Sequence, residues 1–191
     1  MFESNSYRTI LLLVVHVIAA ISIAWFIVWG FGQNQVMVGQ SMQPTIEPDE
    51  TVAIDRIAYH FNYPERYDVI LYYNEDVIAD DYEASKENDV VPEVSIKRII
   101  GLPGETVRIA DGRVYINEVP LDDGSEFNRI SLAGIADKPI KLDEDEYFVV
   151  GDNHQASEDS RYEKIGNIAR YRIIGKVWLR LKPFSKFGRI E

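Results

Sequence analysis

The sequence contains no cysteine among its 191 residues. This absence excludes disulfide bonds and thiolate metal sites. It does not determine the cellular compartment of the protein, although it suits an oxidising exterior. Basic residues are also few, because 20 Lys or Arg stand against 31 Asp or Glu, for a formal net charge of -11. Phosphate binding needs a concentrated cationic face, so nucleic acid is not the expected main partner. Stability has to come from packing, and a hydrophobic content of 46% predicts one domain with a core.

Polar residues are scarce between positions 10 and 31, where only His16 and Ser22 interrupt an apolar run. At ~1.5 Å per helical residue this run reaches about 33 Å, which is enough to cross a bilayer. It is too long for the apolar region of a cleavable signal peptide, and no cleavage site with small residues follows it. We therefore predict a transmembrane helix at 10–31, a short flank at 1–9 and a larger domain at 32–191.

The charges beside this run predict its orientation. Arg8 and the amino terminus precede it against Glu3, whereas the first charged residues after it are Glu47, Asp49 and Glu50. Positive flanks favour the cytoplasmic side of a membrane. We therefore expect a single-pass cell-membrane protein with a cytoplasmic N-terminus, an extracytoplasmic main domain and the lipid bilayer as one partner.

After residue 31 the sequence favours short strands over helices. Asp111-Gly112 is a two-residue hairpin signal, and Leu102-Pro103-Gly104 indicates a turn. No long amphipathic helix is expected. The predicted fold is mainly β, a domain of coiled antiparallel β-sheet with one N-terminal transmembrane α-helix. Alternating or β-branched runs predict its strands at 36–38, 51–57, 68–73, 94–100, 105–109, 113–116, 146–150 and 173–181.

Two segments carry charge of mainly one sign. Residues 74–92 are rich in Asp and Glu and have Lys86 as their one basic residue, which predicts a solvated surface loop. Their spacing does not match a calcium-binding loop, and we expect no metal and no cofactor. Residues 164–189 contain Lys and Arg but no acid. Such residues usually form the wet face of a strand, with contact to anionic lipid head groups as the minor alternative.

Three segments carry residues that can do chemistry, and the first is Gly39-Gln40-Ser41-Met42-Gln43-Pro44-Thr45. A serine before a Pro-containing turn is common, so this segment alone is a weak signal. Gly39 and Pro44 nevertheless suggest a bent, rigid backbone. On such a backbone the Ser41 hydroxyl is held exposed, and its own N–H is available as an oxyanion donor.

The second segment, residues 95–105, contains a lysine inside a predicted strand. Alternation places Ile96, Arg98 and Ile100 on one face and Lys97 with Ile99 on the other. A lysine there is usually an exposed residue whose stem covers apolar surface. The more specific hypothesis is that the lysine amine is partly buried and acts as a base. Desolvation lowers the pKa of such an amine from about 10.4 towards neutrality, where the neutral amine can accept a proton from a serine.

The third segment, residues 151–161, reads Gly-Asp-Asn-His-Gln-Ala-Ser-Glu-Asp-Ser-Arg and follows the apolar run at 147–150. A strand that enters Gly-Asp-Asn is an ordinary turn, and Asp159 with Arg161 could be a structural ion pair. The segment nevertheless concentrates hydroxyls, carboxylates, an amide and a guanidinium more densely than turns need.

In this order, the three segments resemble the boxes of bacterial type I signal peptidases. The boxes are Ser-Met-x-Pro-Thr after a membrane span, Lys-Arg-Ile-Ile-Gly-Leu-Pro-Gly-Glu, and Gly-Asp-Asn with Ser-x-Asp-Ser-Arg; residues 66–70 are similar to a further box. The resemblance extends to about residue 182 and implies a membrane-bound serine endopeptidase. Such enzymes remove signal peptides from exported preproteins after small residues, typically Ala at the last and third-last positions. Residues 110–147 look like a short form of the family's inserted subdomain.

The resemblance also implies a role for each residue of the site. Ser41 is expected to be the acylated nucleophile and Lys97 its general base, a Ser-Lys variant of the catalytic triad. Ser157 matches the position whose hydroxyl orients the lysine amine. Asp159 and Arg161 match the pair that braces the site.

Two residues beside the nucleophile leave questions open. Gly39 stands where some family members have a serine that adds a second oxyanion donor, so the identity of a second donor is not given by the sequence. Met42 follows Ser41 directly. Its side chain predicts an apolar contact with the substrate.

Three alternatives remain at this point. Ser41 could be activated by His154, with Asp152 or Asp159 orienting the imidazole ring. The chain could be a self-cleaving repressor-type peptidase, although the membrane span and the lack of a DNA-binding helical domain argue against this. It could also be a catalytically silent, membrane-tethered binding module, against which the presence of both Ser41 and Lys97 weighs.

Overall fold

An apolar helix and a series of short strands form the fold in a computed structural model, which describes residues 3–31, 33–74, 93–121 and 130–190. The helices are α1 (Glu3–Phe31) and α2 (Ala58–Phe61), and 3₁₀ turns lie at Gly134–Asp137, Arg170–Arg172 and Phe184–Lys186. The strands in chain order are β1 (Asn34–Val36), β2 (Thr51–Asp55), β3 (Val69–Tyr73), β4 (Val94–Gly101), β5 (Thr106–Ala110), β6 (Arg113–Ile116), β7 (Val119–Pro120), β8 (Ile140–Lys141), β9 (Glu146–Val150), β10 (Ile168–Ala169), β11 (Ile173–Lys182) and β12 (Gly188–Arg189).

Helix α1 is unpacked over most of its length. The side chains from Tyr7 to Phe26 are exposed, and this stretch of 20 residues has a mean hydropathy of 2.5. An exposed apolar helix of this length has the dimensions of a membrane span. The last turn meets the β domain, because Arg56 N donates to the Gly30 carbonyl at 3.2 Å and a Cβ at Gly30 would collide with Ile57.

The larger sheet is antiparallel and runs β1-β2-β11-β3-β4-β9-β10, with β12 paired to β11. Strand β11 joins the two halves because it pairs with β2 and with β3. Its register shifts at 173/175, at 177/179 and at 180/182. Such irregularities bend a strand and increase its local twist.

A second, four-stranded sheet has the order β7-β6-β5-β8, with β5, β6 and β7 at residues 106–120 and β8 at residues 140–141. Its hairpin between β5 and β6 turns at Asp111 and Gly112, whose φ angles of 52° and 76° are those of the predicted two-residue turn. The sheet overlaps the predicted inserted subdomain at 110–147, and the boundaries of that subdomain stay a prediction.

The central strands β4 and β9 have apolar side chains on both faces. On β4, Ile96 packs into one core cluster and Ile99 into another. On β9, Val149 packs with Ile99, whereas Phe148 faces the cluster under the second sheet. A charged side chain on β4 therefore enters an apolar environment.

The predicted fold class, mainly antiparallel β with one N-terminal apolar helix, is confirmed. The prediction at 36–38 is wrong in its bounds, since β1 spans 34–36. The strand predicted at 51–57 ends at Asp55, because Asp55 Oδ1 accepts hydrogen bonds from Ile57 N and Ala58 N and the chain turns into α2.

The predicted acidic loop lies outside the described residues from position 75 onward, and the divisions at 1–9, 10–31 and 32–191 stay predictions.

Gly101 allows three apolar side chains to close against the end of β4. A Cβ there would lie 2.5 Å from Val107 Cγ2, 2.8 Å from Leu142 Cδ1 and 2.9 Å from Phe148 Cβ. We expect Gly101→Ala to lower the free energy of unfolding by about 1–3 kcal/mol, because overpacking strains the core. Gly188→Ala is the matched control, with no atom within 4 Å of its Cβ position, and should change stability by less than about 0.5 kcal/mol. Denaturant titration of the detergent-solubilised chain measures both, and equal effects would contradict the packing argument.

Candidate active site

Ser41 begins a series of turns that follows β1. Gly39 adopts a φ of +82° and residues 41–45 form turns, so the backbone bends as the sequence suggested. The Gln43–Pro44 peptide is cis. Within the loop, Ile46 N donates to the Met42 carbonyl at 2.8 Å. Asn153 N donates to the Ser41 carbonyl at 2.9 Å. The backbone of Ser41 is thereby fixed to the 151–161 segment.

A second set of contacts holds the far side of the same loop. Arg180 on β11 donates through Nε to Glu50 Oε2 at 2.7 Å and through Nη2 to the Thr45 carbonyl. Lys186 Nζ lies 2.6 Å from Glu47 Oε2 and 3.3 Å from Glu50 Oε1. Residues that follow Ser41 by 130 positions or more therefore clamp its loop to the sheet.

Lys97 lies on β4, paired with Ile70 of β3, and is only 5% exposed. Its Nζ lies 2.9 Å from Ser41 Oγ. Burial lowers the pKa of the Lys97 amine; the charges of Asp159 and Glu158 oppose this, and that of Arg161 adds to it. The buried amine inferred from the sequence is thus present. A neutral amine at hydrogen-bond distance from a hydroxyl has the geometry of a general base.

Asp159 is fully buried and joins the predicted supporting residues. Ser157 Oγ donates to Asp159 Oδ2 at 2.7 Å, and Gly151 N donates to the same oxygen at 3.0 Å. Arg161 is also inaccessible and binds Asp159 through Nε at 2.7 Å and Nη2 at 2.8 Å. Two-point pairing of this kind compensates part of the cost of burying both charges.

Gly151 explains how this network comes close to Ser41. A Cβ at Gly151 would collide with Ser157 Oγ and would lie 2.5 Å from the Ser41 carbonyl oxygen. The Gly-Asp-Asn turn therefore passes between the two serines with no room for a side chain. The predicted residues Ser41, Lys97, Ser157, Asp159 and Arg161 converge in one part of the fold.

The sequence reasoning missed a second buried ion pair, between Arg98 and Asp152. Arg98 Nε donates to Asp152 Oδ1 at 2.8 Å and Nη2 donates to Oδ2 at 2.7 Å, while Nη1 donates to the Tyr67 carbonyl at 2.8 Å. The pair joins β4, next to Lys97, to the Gly-Asp-Asn turn. An arginine inside an apolar strand was the available signal, because such a residue is almost never buried without a partner.

The remaining predicted residues are placed as follows. His154 Nδ1 lies 2.9 Å from the Gly151 carbonyl, whereas Lys97 Nζ lies 2.9 Å from Ser41 Oγ. Met42 is 0% exposed in the core, so its predicted contact with a substrate stays a prediction and requires its side chain to move. No atom lies within 4 Å of a Cβ built on Gly39.

In the part of the chain that the structure describes, no group of three or more His, Asp or Glu is arranged to hold a metal ion.

Comparison with known proteins gives consistent similarities. Residues 8–182 match the family described as signal peptidase, peptidase S26. The chain is 34% identical over 175 residues to a signal peptidase I of Leptolyngbya laminosa, covering 91% of this chain and 78% of that protein. It is 29% identical over 189 residues to signal peptidase IB of Staphylococcus aureus, covering 89% and 90%. A solved signal peptidase I of Enterococcus faecalis V583 is similar over 61% of this chain and 97% of its own, at 27% identity and a TM-score of 0.43.

Burial of Lys97 predicts a dependence of stability on pH. The pKa of the amine is lowered by folding, so between the folded and unfolded pKa values the unfolded chain binds more protons and stability rises with pH. We expect the free energy of unfolding of the wild type, minus that of Lys97→Met, to increase as the pH rises from about 7 towards about 10. Denaturant titrations at several pH values measure this difference. The control is Lys164→Met at an exposed position, and a difference for Lys97→Met that does not vary with pH would contradict the prediction.

Proposed function

This chain belongs to the signal peptidase family, peptidase S26, and we propose that Ser41 and Lys97 perform its reaction as a Ser-Lys dyad. It is a serine endopeptidase, and the activity of its family is the removal of signal peptides. Membership sets aside the self-cleaving repressor and the silent binding module. The observation that carries the proposed dyad is the 2.9 Å distance between Lys97 Nζ and Ser41 Oγ inside a buried site.

In the first half of the proposed reaction, the neutral Lys97 amine accepts the proton of Ser41 as Oγ attacks the scissile carbonyl carbon. A bond forms between Oγ and carbon, and the carbonyl electrons move to oxygen. The tetrahedral intermediate collapses as its C–N bond breaks, and the Lys97 ammonium gives its proton to the leaving amine. The released product is the mature protein, and the signal peptide remains as an ester on Ser41.

In the second half, Lys97 accepts a proton from water, and the hydroxide attacks the ester carbonyl. The C–Oγ bond breaks, and Lys97 returns the proton to Ser41. The N–H of Ser41 is the proposed donor to the oxyanion in both halves. We assign no second donor to Gly39, which has no side chain to supply one.

Ser157 is the proposed positioning residue for the amine. Its hydroxyl hydrogen is directed to Asp159 at 2.7 Å, so the lone pairs of Ser157 Oγ are available to an N–H of Lys97. Such a contact orients the nitrogen lone pair towards Ser41. Asp159, which is itself paired with Arg161, holds the Ser157 hydroxyl in place.

The proposed substrates are exported preproteins that carry a signal peptide, cut after an Ala-x-Ala sequence. The apolar helix α1 anchors the enzyme in the membrane, and the N-terminus lies on the cytoplasmic side while the β domain faces outwards. Its last turn contacts Arg56 and Ile57, which holds the domain next to the bilayer. This position suits a substrate whose cleavage site follows an apolar segment that is itself in the membrane.

The dyad is tested by cleavage of a model preprotein with an Ala-x-Ala site by detergent-solubilised wild type, Ser41→Ala, Lys97→Met and His154→Ala between about pH 6 and 10. We expect Ser41→Ala and Lys97→Met to lower kcat/KM by about 10⁴-fold or more, because members of a dyad act as a unit. Wild-type kcat/KM should rise with pH as Lys97, with its lowered pKa, loses its proton.

One outcome would contradict the proposed dyad, and another would contradict the proposed specificity. Activity that survives in Lys97→Met but is lost in His154→Ala would assign the base to the histidine. Cleavage of a preprotein with Leu at the last position before the cut, at the same rate as its Ala counterpart, would contradict the proposed specificity.

The role of Ser157 is tested separately by Ser157→Ala. We expect kcat to fall by about 10²-fold with little change in KM, because the amine is displaced rather than substrate binding being lost. Ser157→Thr should restore most of the rate. The control is Ser160→Ala, which removes another buried hydroxyl of the segment, bonded to Val149 N at 3.0 Å. Equal loss in the two alanine variants would indicate a merely structural effect.

A further inference from the structure

A cleft of about 420 Å³ lies beside α2, and its lining residues belong to none of the segments 39–45, 95–105 and 151–161. Its wall contains both basic and aromatic side chains. Among the residues that line it are Arg56, Tyr59, His60, Asp145, Arg170 and Tyr171.

The cleft lies where the membrane helix meets the β domain. Arg56 on its wall is bonded through its backbone N to the Gly30 carbonyl in the last turn of α1, and Ile57 packs against that glycine. Gly30 follows the apolar stretch of α1 by four residues. If α1 spans the bilayer, the cleft is therefore at the depth of the lipid head groups, where the hydrocarbon region ends.

Arg170 gives the cleft a fixed positive charge. Its Nη2 donates to the Tyr59 carbonyl at 3.1 Å and to the Asn62 carbonyl at 3.3 Å, and its guanidinium lies 4.1 Å from the centre of the Tyr63 ring. These partners are neutral, and within the described residues Arg170 forms no ion pair. Other basic residues of the 164–189 segment differ in this respect, because acids pair with Lys176, Arg180 and Lys186.

Asp145 is the acidic residue on the cleft wall. Its backbone carbonyl accepts a hydrogen bond from Arg170 N at 2.8 Å. Arg56, Arg170 and Asp145 thus all line the cleft. Arg170, whose hydrogen-bond and ring partners are neutral, favours an anionic ligand there, and guanidinium groups bind phosphate oxygens with paired hydrogen bonds.

Exposed aromatic side chains flank the cleft. Phe61 is 84% exposed at the end of α2, and Tyr63 is 72% exposed beside Arg170. Aromatic rings of this kind favour the boundary between head groups and acyl chains. A basic cleft with an aromatic edge next to a membrane helix suits a lipid better than a free anion.

We propose that the cleft formed by Arg56, Arg170 and their neighbours binds the phosphate of a membrane phospholipid head group. Bound lipid would fix the β domain against the bilayer surface. The proposal depends on α1 being a membrane span, and it is independent of the catalytic dyad because lipid binding is measured without cleavage.

The test is lipid titration of the full chain in non-ionic detergent, followed by native mass spectrometry. The probes are dioleoyl phosphatidylglycerol, dioleoylglycerol, which lacks phosphate, and inorganic phosphate. The wild type should bind one phosphatidylglycerol at saturation and should not bind dioleoylglycerol. Arg56→Gln should weaken binding of phosphatidylglycerol about tenfold, because one charge-assisted contact is lost.

The matched control is Arg113→Gln at an exposed position on the second sheet, which should bind like the wild type. Arg170→Gln is the second variant, used with its melting temperature as a check of folding. Equal affinity of the wild type and Arg56→Gln would overturn the proposal, as would equal binding of dioleoylglycerol. Inorganic phosphate that binds as tightly as the lipid would identify a free anion as the ligand and would also overturn it.

Discussion

The candidate active site depends on holding the Lys97 amine away from water next to a buried carboxylate. Apolar clusters on both faces of β4 exclude solvent and lower the pKa of the amine. A lone Asp159 would favour the ammonium form, but Arg161 pairs with it through two nitrogens and acts in the opposite direction. Arg161 therefore offsets part of the effect of Asp159 and of Glu158, which also favours the ammonium form, and burial still lowers the pKa of the amine.

The sequence predicted those features whose physical cause is local. Asp111-Gly112 forms its hairpin because two consecutive residues there adopt positive φ. The turn at Leu102-Pro103-Gly104 closes with Glu105 N donating to the Leu102 carbonyl at 3.1 Å, and Gly104 has a φ of 75°. The pairing of Ser41 with Lys97 is different in kind. A separation of 56 residues contains no distance information, so this pairing came from the resemblance to a family.

Other features could not be predicted because they depend on which distant elements come together. Arg98 needed an acidic partner, but the composition offered 31 acids and no rule for choosing Asp152. Met42 was expected at the substrate because it follows Ser41 directly. In the structure the Ser41 loop turns at this point, so Met42 packs into the core while Ser41 Oγ lies beside Lys97 Nζ, and contact of Met42 with a substrate stays a prediction. Neighbours in sequence can thus have opposite environments, and spacing alone does not distinguish them.

The contacts that Arg180 and Lys186 make with the Ser41 loop have a consequence for the order of synthesis. Ser41 and its loop leave the ribosome early, but the side chains that hold the loop, Arg180 and Lys186, are added 130 to 139 residues after the groups they bind. Their strand β11 also joins the two halves of the larger sheet. A nascent chain that lacks them already contains Ser41, Lys97 and the 151–161 segment, but it does not yet have the contacts that hold the far side of the Ser41 loop. The complete arrangement of the candidate site therefore forms only after β11 and Lys186 have been synthesised.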